Sequence, residues 1–439
     1  MRLGETSVWQ LIIILLIVGT PVAIFAQEEQ QGQLVTPVSQ AKEGFSAEQS
    51  YRWREDFAWP NSSGPADESN LYYFLHWDEF LPHQTVWRAG AVRSFEQAPN
   101  SALGQVTASS TLGTMSLDEL LGHPMSRVQG FVVVHGGRII YEQYPGMREQ
   151  DHHRWFSVGK SITGLLVGLL EEEGRIDVNR AIDSYLPELS ATNWQGIRVI
   201  DILDMASGLD LEETDAVRTD RSTSVGAWFQ IENLDTTGLG ALTSDQILFD
   251  VGNKRAPGEV LEYSSLNTRM LGLLVERVSG QRIAELVSER VWSKLGAEGD
   301  AIVALNLQGR AGMYGMFSSR LRDLARYGML YTPSWEVVAT ERVVPQSLLD
   351  RIRDGCRPQI FERGVPLGLD PAPAERPRCN SRHWDAVFAD GDFFKLGARG
   401  QGLYISPARD VVVAFFSTTT ELGWENYARE IAKILEPPE

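Results

Sequence analysis

The chain is poor in lysine. Of its 40 basic residues only Lys42, Lys160, Lys254, Lys294, Lys395 and Lys433 are lysines, so a lysine that falls in a motif carries unusual weight. Positive charge is scarce altogether: 40 Lys and Arg face 58 Asp and Glu, a formal net charge of −18. A field of that sign repels phosphate backbones and anionic lipid surfaces, so no nucleic-acid partner is expected. Cysteine is limited to Cys356 and Cys379, which excludes a small scaffold stapled by disulfides. The seven histidines contain no His-Glu-x-x-His pair, and His152 and His153 are adjacent rather than four apart. No metal and no organic cofactor is expected. A Gly-x-Ser-x-Gly nucleophile elbow is missing as well, and no repeat of fixed period occurs.

What is present is a large globular protein, 439 residues with 43% apolar and 22% charged content. Its longest apolar run, Leu11 to Ala26, follows Arg2 and is interrupted by Gly19-Thr20-Pro21. That pattern reads as a signal peptide, residues 1–26, and it falls short of the roughly 20 apolar residues that span a bilayer. Ile24 is large for its place before the cut, so an uncleaved N-terminal anchor is the alternative; no other membrane contact is expected. The expected location is periplasmic or secreted. In an oxidising compartment Cys356 and Cys379 are expected to pair.

Residues 27–50 are rich in Gln, Glu and Ser and read as a flexible linker. Residues 51–121, with Trp53, Trp59, Trp77 and Trp87, read as an N-terminal arm without assigned chemistry. Residues 122–436 hold the periodic elements. Val132 to Val134 and Ile139 to Tyr141 flank His135-Gly136-Gly137 as a hairpin. A helix follows with apolar positions from Val158 to Leu170, ending at Gly174. Helical patterns dominate about 176–390, including Thr268 to Ser279 and Ile283 to Leu295, with long polar connections such as Glu212 to Thr243. Strands return at Gly402 to Ile405 and Val411 to Phe416, before a helix from Glu425 to Leu435. The expected class is α+β: one antiparallel sheet built from both ends of this region, flanked by helices, with a large helical insertion.

Three segments carry candidate chemistry. Ser157-Val158-Gly159-Lys160 opens the first helix, and side chains three apart share a face. A lysine there can take the serine proton if desolvation lowers its pKa. Ser39-Gln40-Ala41-Lys42 has the same spacing but lies in the linker. Gly159-Lys160-Ser161 is not a phosphate-binding loop, since Arg154 stands where that loop needs glycine. Tyr263 precedes a helix; beside a cationic lysine its phenolate is favoured, which suits a proton shuttle. Lys395-Leu396-Gly397-Ala398-Arg399-Gly400-Gln401-Gly402 enters a strand, and its glycines let a substrate approach the backbone.

Taken in order with Ser184-Tyr185-Leu186-Pro187-Glu188-Leu189 and Ile202-Leu203-Asp204-Met205-Ala206-Ser207-Gly208-Leu209, these segments resemble the serine β-lactamase and penicillin-binding-protein superfamily. The likeness is to class C β-lactamases, their esterase relatives and 6-aminohexanoate-dimer hydrolase, over roughly Arg127 to Phe416. It implies a β-lactamase/transpeptidase-like fold, Ser157 as nucleophile, Lys160 as base and Tyr263 as general acid/base. It further implies an oxyanion hole from the N–H groups of Ser157 and Ala398, and substrate contacts at Lys395, Gly397, Arg399 and Ser265. Ser265 stands where β-lactamases of this branch have the Asn of Tyr-x-Asn, and Leu396 where they have the Thr of Lys-Thr-Gly. The expected function is an exported serine hydrolase acting on a small-molecule ester, amide or peptide. The alternatives are a β-lactamase or D-alanyl-D-alanine carboxypeptidase, and a non-catalytic cell-wall-binding relative.

Overall fold

The two predicted hairpins pair with each other at the centre of a sheet. The computed structural model describes residues 36–57, 68–364, 375–421 and 423–438, and residues from Pro37 onward form one unit. The expected signal peptide lies outside the described residues. Among those residues the main sheet has eight strands: β1 (Glu96–Gln97), β2 (Val128–His135), β3 (Arg138–Gln143), β4 (Cys379–Ser381), β5 (Trp384–Val387), β6 (Phe393–Gly397), β7 (Gln401–Ser406) and β8 (Val411–Ser417). Their spatial order is β4-β5-β6-β7-β8-β2-β3-β1. The β2–β8 junction is antiparallel, with Val132 opposite Ala414 and Val134 opposite Val412. Only the short β1 runs parallel to its neighbour.

Alternation along these strands feeds two cores. Val132, Val134, Val412 and Ala414 face one apolar cluster, while Phe131, Val133, Val413 and Phe415 face the other. A strand covered on both faces is a continuous apolar run, which is why Val411 to Phe416 contains no polar residue. Helix α1 (Lys160–Glu172) belongs to the first core together with α2 (Ser265–Ser279) and α3 (Leu321–Met329). The opposite face is covered by α4 (Trp424–Ile434), whose Tyr427, Ala428 and Ile431 are buried. The α+β class is as expected, with both termini of the region supplying the sheet.

Several expectations are corrected. The predicted helical half ends sooner than residue 390, because β4 and β5 join the main sheet. A second sheet of four strands also crosses that half, in the order His83–Val86, Ala301–Ala304, Phe317–Ser319, His153–Arg154. The polar connection from Glu212 to Thr243 contains the helices Asp215–Thr219 and Ser224–Glu232, the latter burying Val225, Trp228, Phe229 and Ile231. The linker is not flexible over its described part: Gln40–Glu43 and Ala47–Glu55 are helical. Ser46 and Gln49 cap the second helix reciprocally, and Phe45 packs edge-on to Trp53 with ring centroids 4.8 Å apart.

Cys356 and Cys379 are bonded, with Cα atoms 6.0 Å apart. The bond ties the end of the helical region to β4, at the outer edge of the sheet.

Candidate active site

The backbone before Ser157 is pinned from several directions. Trp155 N–H donates to Phe317 O at 2.8 Å and Arg154 N–H to Phe74 O at 3.0 Å. The Arg154 guanidinium lies 4.0 Å from the Trp77 ring centroid and 3.9 Å from that of Phe156, and its Nε donates to Gly315 O at 2.8 Å. Phe156 is held at φ +47°, a costly conformation for a bulky side chain that only a braced environment sustains. The N-terminal arm thereby acquires a place: Phe74 and Trp77 are walls of the turn that carries the serine.

That turn, Phe156–Gly159, is a 3-10 helix leading into α1. Side chains three apart eclipse in this geometry, so Lys160 Nζ comes 2.9 Å from Ser157 Oγ. The amine also donates to the Tyr314 carbonyl at 2.5 Å and has no exposed surface. Burial drives the Lys160 pKa down to about 7; the Lys395 and Arg218 charges push the same way and Glu213 opposes them. Ser157 itself keeps partial access to solvent.

Tyr263 stands between two lysines: its ring centroid is 5.1 Å from Lys160 Nζ and 4.9 Å from Lys395 Nζ. The shift on the phenol runs against the phenolate expected from that neighbourhood. Burial, reinforced by Asp385 and Glu213, raises the phenol well above its ordinary 10, and the hydrogen bond with Ser157 only partly offsets this. That direction favours the neutral phenol.

Lys395 and Ser265, expected to meet substrate, are enclosed. Lys395 on β6 is fully buried and donates to Asp385 Oδ1 at 2.5 Å, while Asp385 Oδ2 accepts Leu396 N–H at 2.9 Å. Ser265 opens α2; its Oγ donates to Glu213 Oε1 at 3.0 Å and its N–H to Glu213 Oε2. Glu213 is held in turn by Arg218, Nη2 to Oε1 at 2.8 Å. Ala398 is exposed and Arg399 half-buried, in the turn after β6. Gln401 fixes that turn by donating to the Ala398 and Arg399 carbonyls at 3.1 and 3.0 Å. Gly397 is needed for close approach: a Cβ there would come 2.5 Å from Trp155 O, so this segment abuts the serine turn.

Ser157, Lys160, Tyr263, Lys395 and the Gly397-Ala398 segment thus converge. Ser39 lies apart, and Lys42 Nζ donates to Tyr144 O at 2.9 Å. Glu213, Arg218, Asp385 and the Tyr314 carbonyl were not foreseen. Asp385 had a signal in the alternating Trp384-Asp385-Ala386-Val387, whose pairing of Ala386 with Phe394 brings Asp385 alongside Lys395. A backbone carbonyl leaves no signal at all.

The Beta-lactamase family model matches residues 117–435. The chain belongs to the Beta-lactamase family. It is 30% identical over 296 residues to the 6-aminohexanoate-dimer hydrolase of Paenarthrobacter ureafaciens, covering 66% of this chain and 72% of that protein. A Bacillus anthracis structure provisionally named a 6-aminohexanoate-dimer hydrolase shares the fold, with TM-score 0.71, 23% identity, 87% of this chain and 96% of that one. EstCE1, described as a hydrolase with promiscuous acyltransferase activity, aligns with TM-score 0.50 and 16% identity over 70% of this chain and 93% of its own. This member of the family is a hydrolase of the β-lactamase fold.

Proposed function

We propose that the protein is an exported serine hydrolase that cleaves small ester or amide bonds through an acyl-enzyme on Ser157. The observation that carries the reading is a lysine with no exposed surface, its amine 2.9 Å from a partly accessible serine hydroxyl and its pKa held by burial at about 7. A neutral amine there takes the hydroxyl proton as Oγ attacks the acyl carbon, a contribution of about 10²–10⁴ in rate. The resulting oxyanion is received by the N–H groups of Ser157 and Ala398, which the close approach of Gly397 to Trp155 brings onto neighbouring segments. Tyr263, a neutral phenol, protonates the departing alkoxide or amine, and Lys160 returns its proton to the phenolate. Water then repeats the sequence on the acyl-enzyme, releasing the acid and restoring Ser157.

Lys395 acts on this centre through Tyr263 rather than on substrate, because Asp385 and the protein interior enclose it. Export is supported by the apolar run Leu11 to Ala26 and by the Cys356–Cys379 bond. Leu396 and the enclosed Ser265 disfavour the β-lactamase alternative. A threonine hydroxyl in the Leu396 position could donate to a β-lactam carboxylate, a hydrogen bond to a charged group worth about 1.5–3 kcal/mol. The expected result is a kcat/KM for p-nitrophenyl butyrate above that for a chromogenic cephalosporin, measured on one purified batch. A cephalosporin value higher by about tenfold, roughly 1.4 kcal/mol of transition-state binding, would restore the β-lactamase reading.

A further inference from the structure

Arg154 is a charged side chain inside the protein without an opposite charge. It is 3% exposed, and among the described residues no carboxylate pairs with it and its Nη1 has no hydrogen-bond partner. Arginine is almost never enclosed unless it is paired, because taking a cation out of water is costly. A group kept against stability needs a reason at the place where it stands.

Its surroundings are aromatic rings and one short stretch of chain. The guanidinium lies against both Trp77 and Phe156, 4.0 and 3.9 Å from their ring centroids, and a planar cation stacks well on such faces. Its fork is turned to a single segment: Nε donates to Gly315 O at 2.8 Å and Nη2 to Met316 Sδ at 3.1 Å. The next residue along each chain continues the contact, with Trp155 N–H donating to Phe317 O at 2.8 Å. Immediately before Gly315 stands Tyr314, whose carbonyl accepts from Lys160 Nζ at 2.5 Å.

Two successive carbonyls are therefore divided between the guanidinium and Lys160. A neutral amine has two N–H groups and one lone pair, so giving an N–H to a fixed carbonyl restricts where the lone pair points. For proton transfer it must point at Ser157 Oγ, 2.9 Å away. Gly312 and Gly315 leave the segment little stiffness of its own. Misplacement by about 1 Å at a reacting centre can cost about 10²-fold in rate.

We propose that Arg154 is a positioning residue for the Ser157 centre: stacked on Trp77 and Phe156, it pins Gly315 and Met316 so that the Tyr314 carbonyl holds Lys160 Nζ in line with Ser157 Oγ. The inference rests on the acyl-enzyme reading above.

Arg154→Met keeps an unbranched side chain of similar length and removes both the fork and the buried charge. A buried ion replaced by an apolar side chain commonly leaves stability unchanged or higher, so the thermal midpoint is expected at or above that of the wild type. With p-nitrophenyl butyrate, kcat is expected to fall by about tenfold or more with KM within about threefold. An unchanged kcat, a loss that appears only in KM, or a loss that accompanies a lowered midpoint would overturn the proposal, the last because it marks the arginine as a support of the fold. Arg154→Lys is the second variant: it keeps the charge, but its single nitrogen does not reproduce the fork, so it is expected to share the loss of kcat. Wild-type kcat in the lysine variant, or failure of both variants to fold, would equally overturn the proposal. Ser157→Ala is assayed alongside. Full turnover there fails the acyl-enzyme reading itself, whereas an inactive Ser157→Ala beside a fully active Arg154→Met fails only the role of Arg154.

Discussion

Asp385 and Lys395 form an ion pair on adjacent strands, 2.5 Å between Oδ1 and Nζ, with side chains 11% and 0% exposed. The pair keeps the ammonium out of solvent, with the Tyr263 ring centroid 4.9 Å from Nζ. Asp385→Asn strands a buried ammonium, and breaking such a pair costs about 3–5 kcal/mol. The variant is expected to unfold at lower denaturant concentration and, in its folded fraction, to lose kcat while keeping KM. A rise in KM confined to carboxylate-bearing substrates would show that Lys395 touches substrate after all.

The pH profile follows from two opposite shifts. Lys160 works as a base only when deprotonated, and burial places that transition at about 7, so kcat/KM should rise with pH through that region. Tyr263 works as an acid only when protonated, and burial raises its pKa well above 10, so no alkaline loss attributable to it is expected below that value. Lys160→Ala and Tyr263→Phe should each lower kcat about a hundredfold or more, and the double variant by less than the product, since one relay fails as a unit. An alkaline limb that Tyr263→Phe removes would show that the phenolate expected from the sequence is the working form.

The Cys356–Cys379 bond, 23 residues apart in sequence, closes a loop whose cross-link is worth on the order of 3 kcal/mol by chain-entropy arguments. Thermal unfolding with and without reductant checks this. Reduction should lower the midpoint by several degrees; identical midpoints would mean that the loop is already ordered without the bond.

Local chemistry was legible in the sequence and long-range chemistry was not. Ser157 and Lys160 are three apart, so one helical turn brings them together whatever the rest of the chain does. The β2–β3 hairpin was legible because Gly136 and Gly137 supply its positive-φ turn. Glu213 enters the site through loop packing onto Ser265, 52 residues along the chain, which no local pattern encodes, and Asp385 through the strand pairing that its alternating segment hints at. The helices between Gln40 and Glu55 were missed because their buried face rests on few apolar residues, chiefly Ala41 and Trp53. The capping pair Ser46 and Gln49 was the available clue. The sequence shows the cationic neighbours of Tyr263 but not the burial that opposes their effect on its phenol.

The most direct test of the account is where a covalent acyl mimic attaches. A fluorophosphonate probe followed by intact-mass and peptide mapping should give one adduct per chain, on Ser157. Ser157→Ala should abolish both the adduct and ester turnover while keeping the fold, and Ser39→Ala should change neither. An adduct on another residue, or near wild-type turnover in Ser157→Ala, would contradict the central claim.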